Sequence, residues 1–263
     1  MVRNRRGDLR DTSRKGRARM TRFAKDSRLI IDLGMNNGDD TAFYLSRGFS
    51  VVALDANPAL CERAQARFCA AIDNGRLKIL NAAIWEKNGH ASFYVNLDND
   101  HWSSLDAGWA GRDATKYKEI AVQCVTLGSL FAEFGLPYYL KIDVEGVDQS
   151  VLEQLRGSDL LPLFVSVEDC HFGFQYMQTL AACGYDRFKL LDQSTVSQMR
   201  DTATGHIFPA GSSGPFGNDL PGQWLSYDEM VKLYSTTVRD FAGNRLAPRT
   251  HWWDIHCTSL SGA

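Results

Sequence analysis

The stretch Ile31-Asp-Leu-Gly-Met-Asn-Asn-Gly38 decides how this sequence folds. It follows the apolar run Leu29–Leu33, which predicts a buried strand, and it precedes Thr41–Arg47, which predicts a helix. Glycine in a turn between a strand and a helix lets the backbone bend sharply and approach a ligand closely. The stretch therefore predicts the first strand–turn–helix unit of an α/β fold, with a ligand at the turn.

The next residues repeat this unit. Val51–Leu54 and Leu77–Leu80 predict two more buried strands. Between them, Asn57 and Pro58 predict the start of a helix, with Asn57 as its cap and Pro58 at its first position. Strands that alternate with helices in this way predict a parallel sheet with right-handed crossovers.

The remaining pattern predicts one domain, 28–263, with a C-terminal extension over 193–263. Residues 201–223 are rich in Gly, Ser and Pro and predict an irregular loop. The other predicted strands are Ala91–Val95, Ile120–Val125, Tyr138–Ile142, Leu163–Val167, Arg187–Leu191 and a closing strand at Trp252–His256. The other predicted helices are Leu127–Phe134, Val147–Leu155, Met177–Cys183 and Tyr227–Asp240.

Composition places the chain among soluble globular proteins, with 44% apolar and 23% charged residues and a net charge of -2. Six scattered cysteines without a C-x-x-C pair are typical of free thiols in the cytoplasm, and no apolar run is long enough to span a bilayer. Residues 1–28 carry eleven Lys or Arg and three Asp. We expect residues 1–27 to be disordered; an arm for nucleic acid or an anionic membrane is the alternative.

An acidic residue indicates what the glycine turn binds. Asp55 ends the second predicted strand, twenty-one residues after Gly34. An acid at about this offset is placed to accept hydrogen bonds from ribose hydroxyls. The turn has the spacing G-x-N-x-G rather than the G-x-G-x-x-G that suits a pyrophosphate. S-adenosylmethionine has no phosphate, and Asp32 and Asn36 suit its amino-acid end. We expect this cofactor; a turn that only connects strand and helix is the alternative.

Three stretches resemble the FkbM family of S-adenosylmethionine-dependent methyltransferases. They are Ile31–Gly38, Val52-Ala-Leu-Asp-Ala-Asn-Pro58 and Leu140-Lys-Ile-Asp-Val-Glu-Gly146, of which the last is the most specific. Ser103-Ser-Leu105 and Val125-Thr-Leu127 are similar to family features too. The resemblance covers roughly residues 28–192. It implies a Rossmann-like class I methyltransferase fold, with a mostly parallel central sheet and helices on both faces.

The resemblance also implies an activity and a set of cofactor contacts. The activity is usually O-methylation of a hydroxyl on a sugar, glycan or secondary metabolite. The implied contacts are Asp32, Gly34, Asn36 and Gly38 at the turn, Asp55 on the ribose, and Asn81 and Ala82 beside the adenine. One departure is Asp148, which stands where the family commonly has Glu.

Methyl transfer to a hydroxyl needs positioning and a general base. Ligands in open α/β sheets bind beyond the carboxyl ends of the strands, so the candidates follow strands four and five. Asp143 is our first choice for a residue at the methyl-transfer centre, with helix capping as its alternative role. His171 is the candidate base, although a surface histidine is an equally simple interpretation. Glu168 is the third catalytic candidate, and Glu145 suits capping as well as catalysis.

Other interpretations of these residues stay open. Asp143, Glu168, Asp169 and His171 could hold Mg²⁺, although their spacing is not that of a tight metal site. In the loop 96–118, Trp102 suits a lid or a packing role, and Ser103 could bind the methionine part of the cofactor. Trp224, Trp252 and Trp253 suit either core packing or a platform for a sugar ring.

Two other classes of protein compete with a methyltransferase of small molecules or glycans. A nicotinamide-dependent oxidoreductase would bind a nucleoside at the same turn, but it favours the G-x-G-x-x-G spacing that is missing here. A non-catalytic protein that binds the cofactor or docks a partner would not need the acids after strands four and five. We expect the loops 96–118, 169–175 and 193–223 to select the acceptor.

Overall fold

The computed structural model describes residues 22–259, so residues 1–21 of the expected basic segment lie outside the described residues. The strands are β1 Arg22–Phe23, β2 Leu29–Leu33, β3 Ser50–Asp55, β4 Leu77–Asn81, β5 Ala83–Ile84, β6 Gly89–Asn96, β7 Tyr117–Val125, β8 Tyr139–Ile142, β9 Leu160–Leu161, β10 Phe164–Glu168, β11 Arg187–Asp192 and β12 Trp253–Thr258. The helices are α1 Asp39–Ser46, α2 Pro58–Arg67, α3 Cys69–Asp73, α4 Ala107–Ala110, α5 Leu127–Phe134, α6 Asp148–Glu153, α7 Gly173–Cys183 and α8 Tyr227–Thr237.

Seven strands form the central sheet in the order β11-β12-β10-β8-β2-β3-β4. The pairs from β10 to β4 are parallel. β12 lies between β10 and β11 and is antiparallel to both. The predicted closing strand is therefore present and enters the sheet in reverse. The arrangement confirms the predicted Rossmann-like class I methyltransferase fold with a mostly parallel sheet.

Helices cover both faces of this sheet, as predicted. Successive residues of a strand point to opposite faces, so Ile31 packs in one buried cluster and Ile30 in the other. The first cluster includes residues of α5, α6, α7 and α8. The second includes residues of α1, α2 and α3. None of the helices within residues 22–259 is long and apolar enough to cross a bilayer.

The C-terminal extension completes the second face without a long helix. Residues 201–223 are irregular apart from a short 3-10 turn at Gly217–Asp219. Phe216 from this segment stacks on the ring of Tyr139, with 4.5 Å between centroids. Phe208 packs edge-on against Phe43 of α1, at 4.7 Å. The irregular segment thus covers this face of the sheet with buried aromatic side chains.

A smaller sheet and an ordered N-terminal strand differ from the sequence-based expectations. β5, β7 and β6 form a separate three-stranded sheet, in which the predicted strands of residues 89–125 pair with each other rather than with the central sheet. Residues 22–27, expected to be disordered, belong to the described structure. β1 pairs with β9, and the Phe23 ring lies 5.6 Å from that of Tyr185. Phe23 is half-buried against the first cluster and anchors this strand.

Candidate active site

A cavity of about 940 Å³ opens at the carboxyl ends of the central strands. That volume is near the upper end of the range for small-molecule sites, about 300–1,000 Å³. Most of its wall comes from three regions: the ends of β2, β3, β8 and β10, the insertion 99–113 between β6 and β7, and the C-terminal residues 239–252. Residues 60, 82–84, 93, 193, 210 and 211 complete the wall. The predicted site residues in the wall are Gly34, Asn36, Asp55, Ala82, Ser103, Asp143, Glu168 and His171.

The turn after β2 packs directly on the end of β8. Gly34 has a φ of +84°, and a Cβ atom there would lie 1.8 Å from the carbonyl oxygen of Asp143. The Gly34 and Met35 amides both donate to the carbonyl of Leu54. Only glycine fits this position, because both the backbone angle and the space exclude a side chain. The turn thereby brings Asn36 and Asp143 into one wall.

Asp55 is fixed by two backbone amides. Its Oδ2 accepts from the Asn36 amide and its Oδ1 from the Asn57 amide, each at 2.8 Å. Burial raises the pKa of Asp55 to about 6, against the lowering effect of these two hydrogen bonds. A carboxylate oxygen has two acceptor sites, so each oxygen keeps one for a ligand.

Three residues expected to contact the cofactor lie outside the cavity wall. Asp32 is fully buried below it and accepts a hydrogen bond from Thr41 Oγ1 at 2.8 Å. Gly38 caps α1 and faces the ring of Phe68, which lies 2.6 Å from where a Cβ would be. Asn81 donates its amide to the carbonyl of Asp55 at 3.0 Å. Each of them supports the wall from behind, a role that their spacing in sequence does not reveal.

Lys141 lies among the acids beneath the cavity and was not among the residues predicted for the site. It is 3% exposed, and its Nζ lies 3.1 Å from Asp143 Oδ2 and 3.2 Å from the Gly34 carbonyl. Asp32 and Asp40 follow at 3.6 and 3.8 Å. Burial alone would lower the pKa of Lys141, but Asp143, Asp32 and Asp40 together raise it well above its usual value. The sequence did contain a sign of this site, because Lys141 is a charged residue within the otherwise apolar strand 139–142.

Three carboxyl groups meet above this lysine. Oxygen atoms of Asp143, Glu145 and Glu168 all lie within 4.8 Å of one another, a geometry that a divalent cation could use. Burial opposes the charge of Asp143, but the Lys141 ammonium and a hydrogen bond with Glu168 hold its pKa below the usual value. Burial, Asp143 and Glu145 raise the pKa of Glu168 well above its usual value. The surroundings therefore favour the charged form of Asp143 and the neutral form of Glu168.

The insertion 99–113 docks on the β8 end through Glu145. Glu145 Oε2 accepts from Trp109 Nε1 at 2.7 Å and from Arg112 at 2.8 Å. The Arg112 guanidinium lies over the rings of Trp102 and Trp109, at 4.5 and 4.7 Å. Burial, then Asp143, raise the pKa of Glu145 to about 8 despite Arg112. Trp102 packs on Arg112 and also lines the cavity.

Ser103 makes its hydrogen bonds within the insertion. Its Oγ accepts from the Asn96 amide and donates to the Asp100 carbonyl, each at 3.1 Å. Ser104, beside it, donates to the Glu145 carbonyl at 2.6 Å. The serines thus hold the loop in place, and Ser103 keeps one acceptor position toward the cavity.

His171 and Asp169 follow β10 but have different surroundings. His171 is exposed, adopts a φ of +80° and packs edge-on to Trp109 at 5.2 Å. Burial and then the Arg239 guanidinium lower its pKa, so the ring is neutral at pH 7. Asp169 accepts hydrogen bonds from Tyr234 and Arg239. The residue that clusters with Asp143 and Glu168 is therefore Glu145, and not Asp169 or His171, which the sequence had suggested as metal ligands.

The C-terminal extension adds residues to the cavity wall, and His251 and three arginines among them were not predicted from the sequence. His251 Nδ1 lies 2.6 Å from Asp192 Oδ2, and His251 also lines the cavity. Of the three tryptophans considered as a sugar platform, Trp252 reaches the cavity, with its Nε1 donating to Gln193 at 2.7 Å. Trp224 instead stacks on the buried ring of Phe164. Three arginines, Arg239, Arg245 and Arg249, complete this part of the wall.

Comparisons with known proteins identify a family for this sequence. The family model described as the methyltransferase FkbM domain matches residues 32–187. A search of curated proteins returned no significant match.

Among solved structures, a methyltransferase FkbM from Methylobacillus flagellatus KT is similar, with a TM-score of 0.43 and 15% identity over 63% of this chain; the match spans 40% of that protein. Precorrin-6y C5,15-methyltransferase from Geobacter metallireducens has a TM-score of 0.41 and 8% identity over 89% of this chain and 82% of that one. An N1-methyltransferase of Burkholderia thailandensis that acts on 1,6-didemethyltoxoflavin has a TM-score of 0.35 and 10% identity, over 88% of this chain and 71% of that one.

Proposed function

The chain belongs to the FkbM family of methyltransferases, whose methyl donor is S-adenosylmethionine, and from this premise we propose that it methylates a hydroxyl oxygen of a sugar, a glycan or a secondary metabolite. We assign the reaction to the cavity at the carboxyl ends of the central strands. In this assignment residues 28–263 are the methyltransferase domain, and the extension 193–263 supplies part of the acceptor side.

The chemistry of the wall suits this cofactor. The strand ends carry the negative charges of Asp55 and Asp143 at pH 7, and none of the wall residues that directly follow β2, β3 or β8 is basic, which favours a sulfonium cation over a pyrophosphate. Beside Asp55, an apolar slot in the wall suits a planar base. Its lining residues are Leu54, Ala56, Leu60, Ala82, Ala83, Ile84 and Phe93.

We assign the cofactor contacts within this wall. Asp55 would accept hydrogen bonds from the ribose hydroxyls through the acceptor sites that its two amide donors leave free. Gly34 and Asn36 would contact the amino-acid end, because both line the cavity at the turn after β2. Ala82 and the apolar slot would contact the adenine, with Ser103 and Trp102 closing the cavity from the insertion.

Asp143 is the residue we place at the methyl-transfer centre. Lys141 keeps it ionised, so its negative charge can stabilise a positive sulfonium before transfer. When bound, the cofactor would supply a methyl group activated by its sulfonium; the acceptor oxygen would attack the methyl carbon in line as the C–S bond breaks and S-adenosylhomocysteine leaves. Oxygen atoms of Glu168 and Asp143 lie within 4.8 Å of each other, and the raised pKa of Glu168 favours its neutral form, which limits the repulsion between the two carboxyls.

His171 is the proposed general base. The acceptor hydroxyl forms its new C–O bond with the methyl carbon and gives up its proton to the neutral imidazole. The lowered pKa of His171 keeps the ring able to accept that proton at pH 7. His251 is the second candidate, because Asp192 holds its Nδ1 and leaves Nε2 free.

This scheme assigns no metal ion. Two of the three clustered carboxyls already have a cationic partner, Lys141 for Asp143 and Arg112 for Glu145, and the raised pKa of Glu168 disfavours the charged form that a cation would need. We therefore expect activity to be unchanged in excess EDTA. Loss of activity in EDTA that added Mg²⁺ restores would replace this scheme with one in which the cluster holds a cation.

The observation that carries the proposal is the shared wall of Gly34, Asp55 and Asp143, which joins three separate family stretches in one cavity. The test is formation of S-adenosylhomocysteine from S-adenosylmethionine with a panel of sugars and phenols as acceptors. We expect product with a hydroxyl acceptor, and none from the Asp143→Asn variant. Transfer to amine or carbon acceptors alone would contradict O-methylation. The free thiols of all six cysteines suit the cytoplasm, where we place the enzyme.

A further inference from the structure

We propose that the methyl acceptor carries an anionic group, a carboxylate or a phosphate, and that Arg239, Arg245 and Arg249 bind this group in the cavity wall beside the end of β10. The inference rests on the proposed function, because it names the class of acceptor for the same cavity. All three arginines line the cavity together with Asp143 and His171.

A tight hairpin holds two of the arginines side by side. Arg239 and Arg245 face each other in an antiparallel bridge, and the Leu246 amide donates to the Val238 carbonyl at 2.8 Å. Asp240 closes the turn by accepting from the Asn244 amide at 2.8 Å. Like charges directly opposite each other on paired strands are destabilising. A fold that keeps them together in a cavity wall indicates that an anion joins them.

Arg239 is buried and incompletely satisfied. It is 5% exposed, and its Nε donates to Asp169 Oδ2 at 3.1 Å. Its Nη2 is buried and has no hydrogen-bond partner among residues 22–259. An unpaired buried donor on a charged group costs free energy, and an oxyanion reaching this guanidinium would remove that cost. Arg239 is therefore the anchor of the proposed subsite.

The nearby acid does not neutralise the arginines. Asp169 is one carboxylate, and it also accepts from the Tyr234 hydroxyl at 2.7 Å and from the Gly173 amide at 3.2 Å. Arg245 donates only to the carbonyl groups of residues 247, 248 and 251, which carry no charge. Within the described residues, no carboxylate forms a salt bridge with Arg245 or Arg249. The wall thus keeps an excess of positive charge, and burial followed by the neighbouring Arg239 lowers the pKa of Arg245.

The position of the arginines separates them from the cofactor side of the cavity. Asp169, which holds Arg239, directly follows β10, whereas Gly34 and Asp55 follow β2 and β3 on the other side of β8. An acceptor whose anionic group lies on the arginines can therefore place a hydroxyl near Asp143 and His171. The planar guanidinium fork matches the oxygens of both carboxylate and phosphate.

The test is calorimetric titration of the full chain, saturated with S-adenosylhomocysteine, with glucose, glucose 6-phosphate and glucuronate. We expect at least one of the two anionic sugars to bind roughly tenfold or more tightly than glucose, with an affinity that falls as salt is added. The stronger of the two identifies phosphate or carboxylate as the preferred group.

Arg249→Gln is the variant of choice, because Arg249 is exposed and its loss leaves no buried partner. It should weaken the anionic sugar roughly tenfold, whereas Arg156→Gln, an exposed arginine outside the cavity, should not. Equal binding of all three sugars, or of none, by protein that binds S-adenosylhomocysteine normally would overturn the inference. So would anion binding that disappears on saturation with S-adenosylhomocysteine, since the arginines would then bind the cofactor's own carboxylate. Failure to bind S-adenosylhomocysteine at all would instead contradict the proposed function.

Discussion

The cavity has two walls of opposite charge, and they are built in different ways. The acidic wall, which consists of Asp55, Asp143, Glu145 and Glu168, lies at or just after the ends of buried strands. The basic wall, which consists of Arg239, Arg245 and Arg249, lies on a hairpin and loop of the C-terminal extension. Rigid strands hold the part that we assign to the cofactor, and a loop segment holds the part that we assign to the acceptor. This division allows one wall to change with the acceptor while the other keeps the methyl donor.

The largest effect should come from the support beneath the acidic wall. Lys141→Met would leave Asp32, Asp40 and Asp143 without their buried counter-ion, and we expect the free energy of unfolding to fall by about 3–5 kcal/mol. Chemical denaturation measures this loss. Lys189→Met is a matched control, because that buried lysine donates to the Leu220 carbonyl and faces no acid. It should cost about 1 kcal/mol. Equal losses for both variants would show that Lys141 does not hold the wall together.

The next largest effect should come from the general base, which accepts the proton of the acceptor hydroxyl. His171→Gln should lower kcat by roughly a hundredfold or more, with little change in the affinity for S-adenosylmethionine. His251→Gln, the matched variant at the other cavity histidine, should lower kcat much less. Single-turnover rates with an identified acceptor would measure both. The reverse order would assign the base to the imidazole that Asp192 holds.

A smaller effect should appear as a pH dependence of the acidic wall alone. Because burial raises the pKa of Asp55 to about 6, its ionised form is lost as the pH falls through that value. The affinity for S-adenosylmethionine should therefore be constant above pH 7 and fall by up to about tenfold per unit below pH 6. Calorimetry across this range measures it, and the Asp55→Asn variant should bind weakly with a flatter profile. A wild-type affinity that rises on acidification would contradict the role of Asp55.

The same raised pKa predicts a modest change in stability of the opposite sign. The pKa of Asp55 is higher in the folded chain than its usual 3.8, so between these values the folded state binds more protons than the unfolded state. Its contribution to stability is therefore present at acid pH and is lost as the pH rises through about 6. Asp55→Asn should remove this part of the pH dependence in thermal unfolding. A variant whose stability still follows the wild-type curve would place the titration elsewhere.

The smallest effect should come from the tip of the basic hairpin. Phe241 is 75% exposed and stacks on Phe174 at 5.3 Å. Phe241→Ser should change the free energy of unfolding by about 0.5 kcal/mol or less and leave the binding of S-adenosylmethionine unchanged. A large loss of cofactor affinity in this variant would show that the two walls are not independent.

The sequence predicted the central sheet and most of the acidic wall for a physical reason. A parallel sheet brings the carboxyl ends of its strands to one edge, so Gly34, Asp55, Asp143 and Glu168 could be placed together from strand positions alone. Strand positions cannot separate residues in the wall from those behind it, which is where the structure has Asp32, Gly38 and Asn81.

The position of the basic wall could not be predicted from the sequence, because its contacts join segments that are far apart along the chain. Arg239 reaches Asp169 across seventy residues, and His251 reaches Asp192 across fifty-nine. Neither pair follows the period of a helix or a strand, and Arg239 and Arg245 are joined by a loop of five residues rather than by a two-residue hairpin turn. Lys141 could have been found, since a charged residue within a strand that is buried on both faces requires a partner.

The assignment of the acidic wall to S-adenosylmethionine is tested most directly by calorimetric titration of the purified chain at pH 7.5. S-adenosylmethionine and a nicotinamide dinucleotide are titrated separately, into the wild-type chain and into the Asp55→Asn variant. We predict micromolar binding of S-adenosylmethionine, a loss of at least about tenfold in the variant, and no binding of the dinucleotide. Absence of S-adenosylmethionine binding, or preference for the dinucleotide, would contradict the assignment of the acidic wall to a sulfonium cofactor.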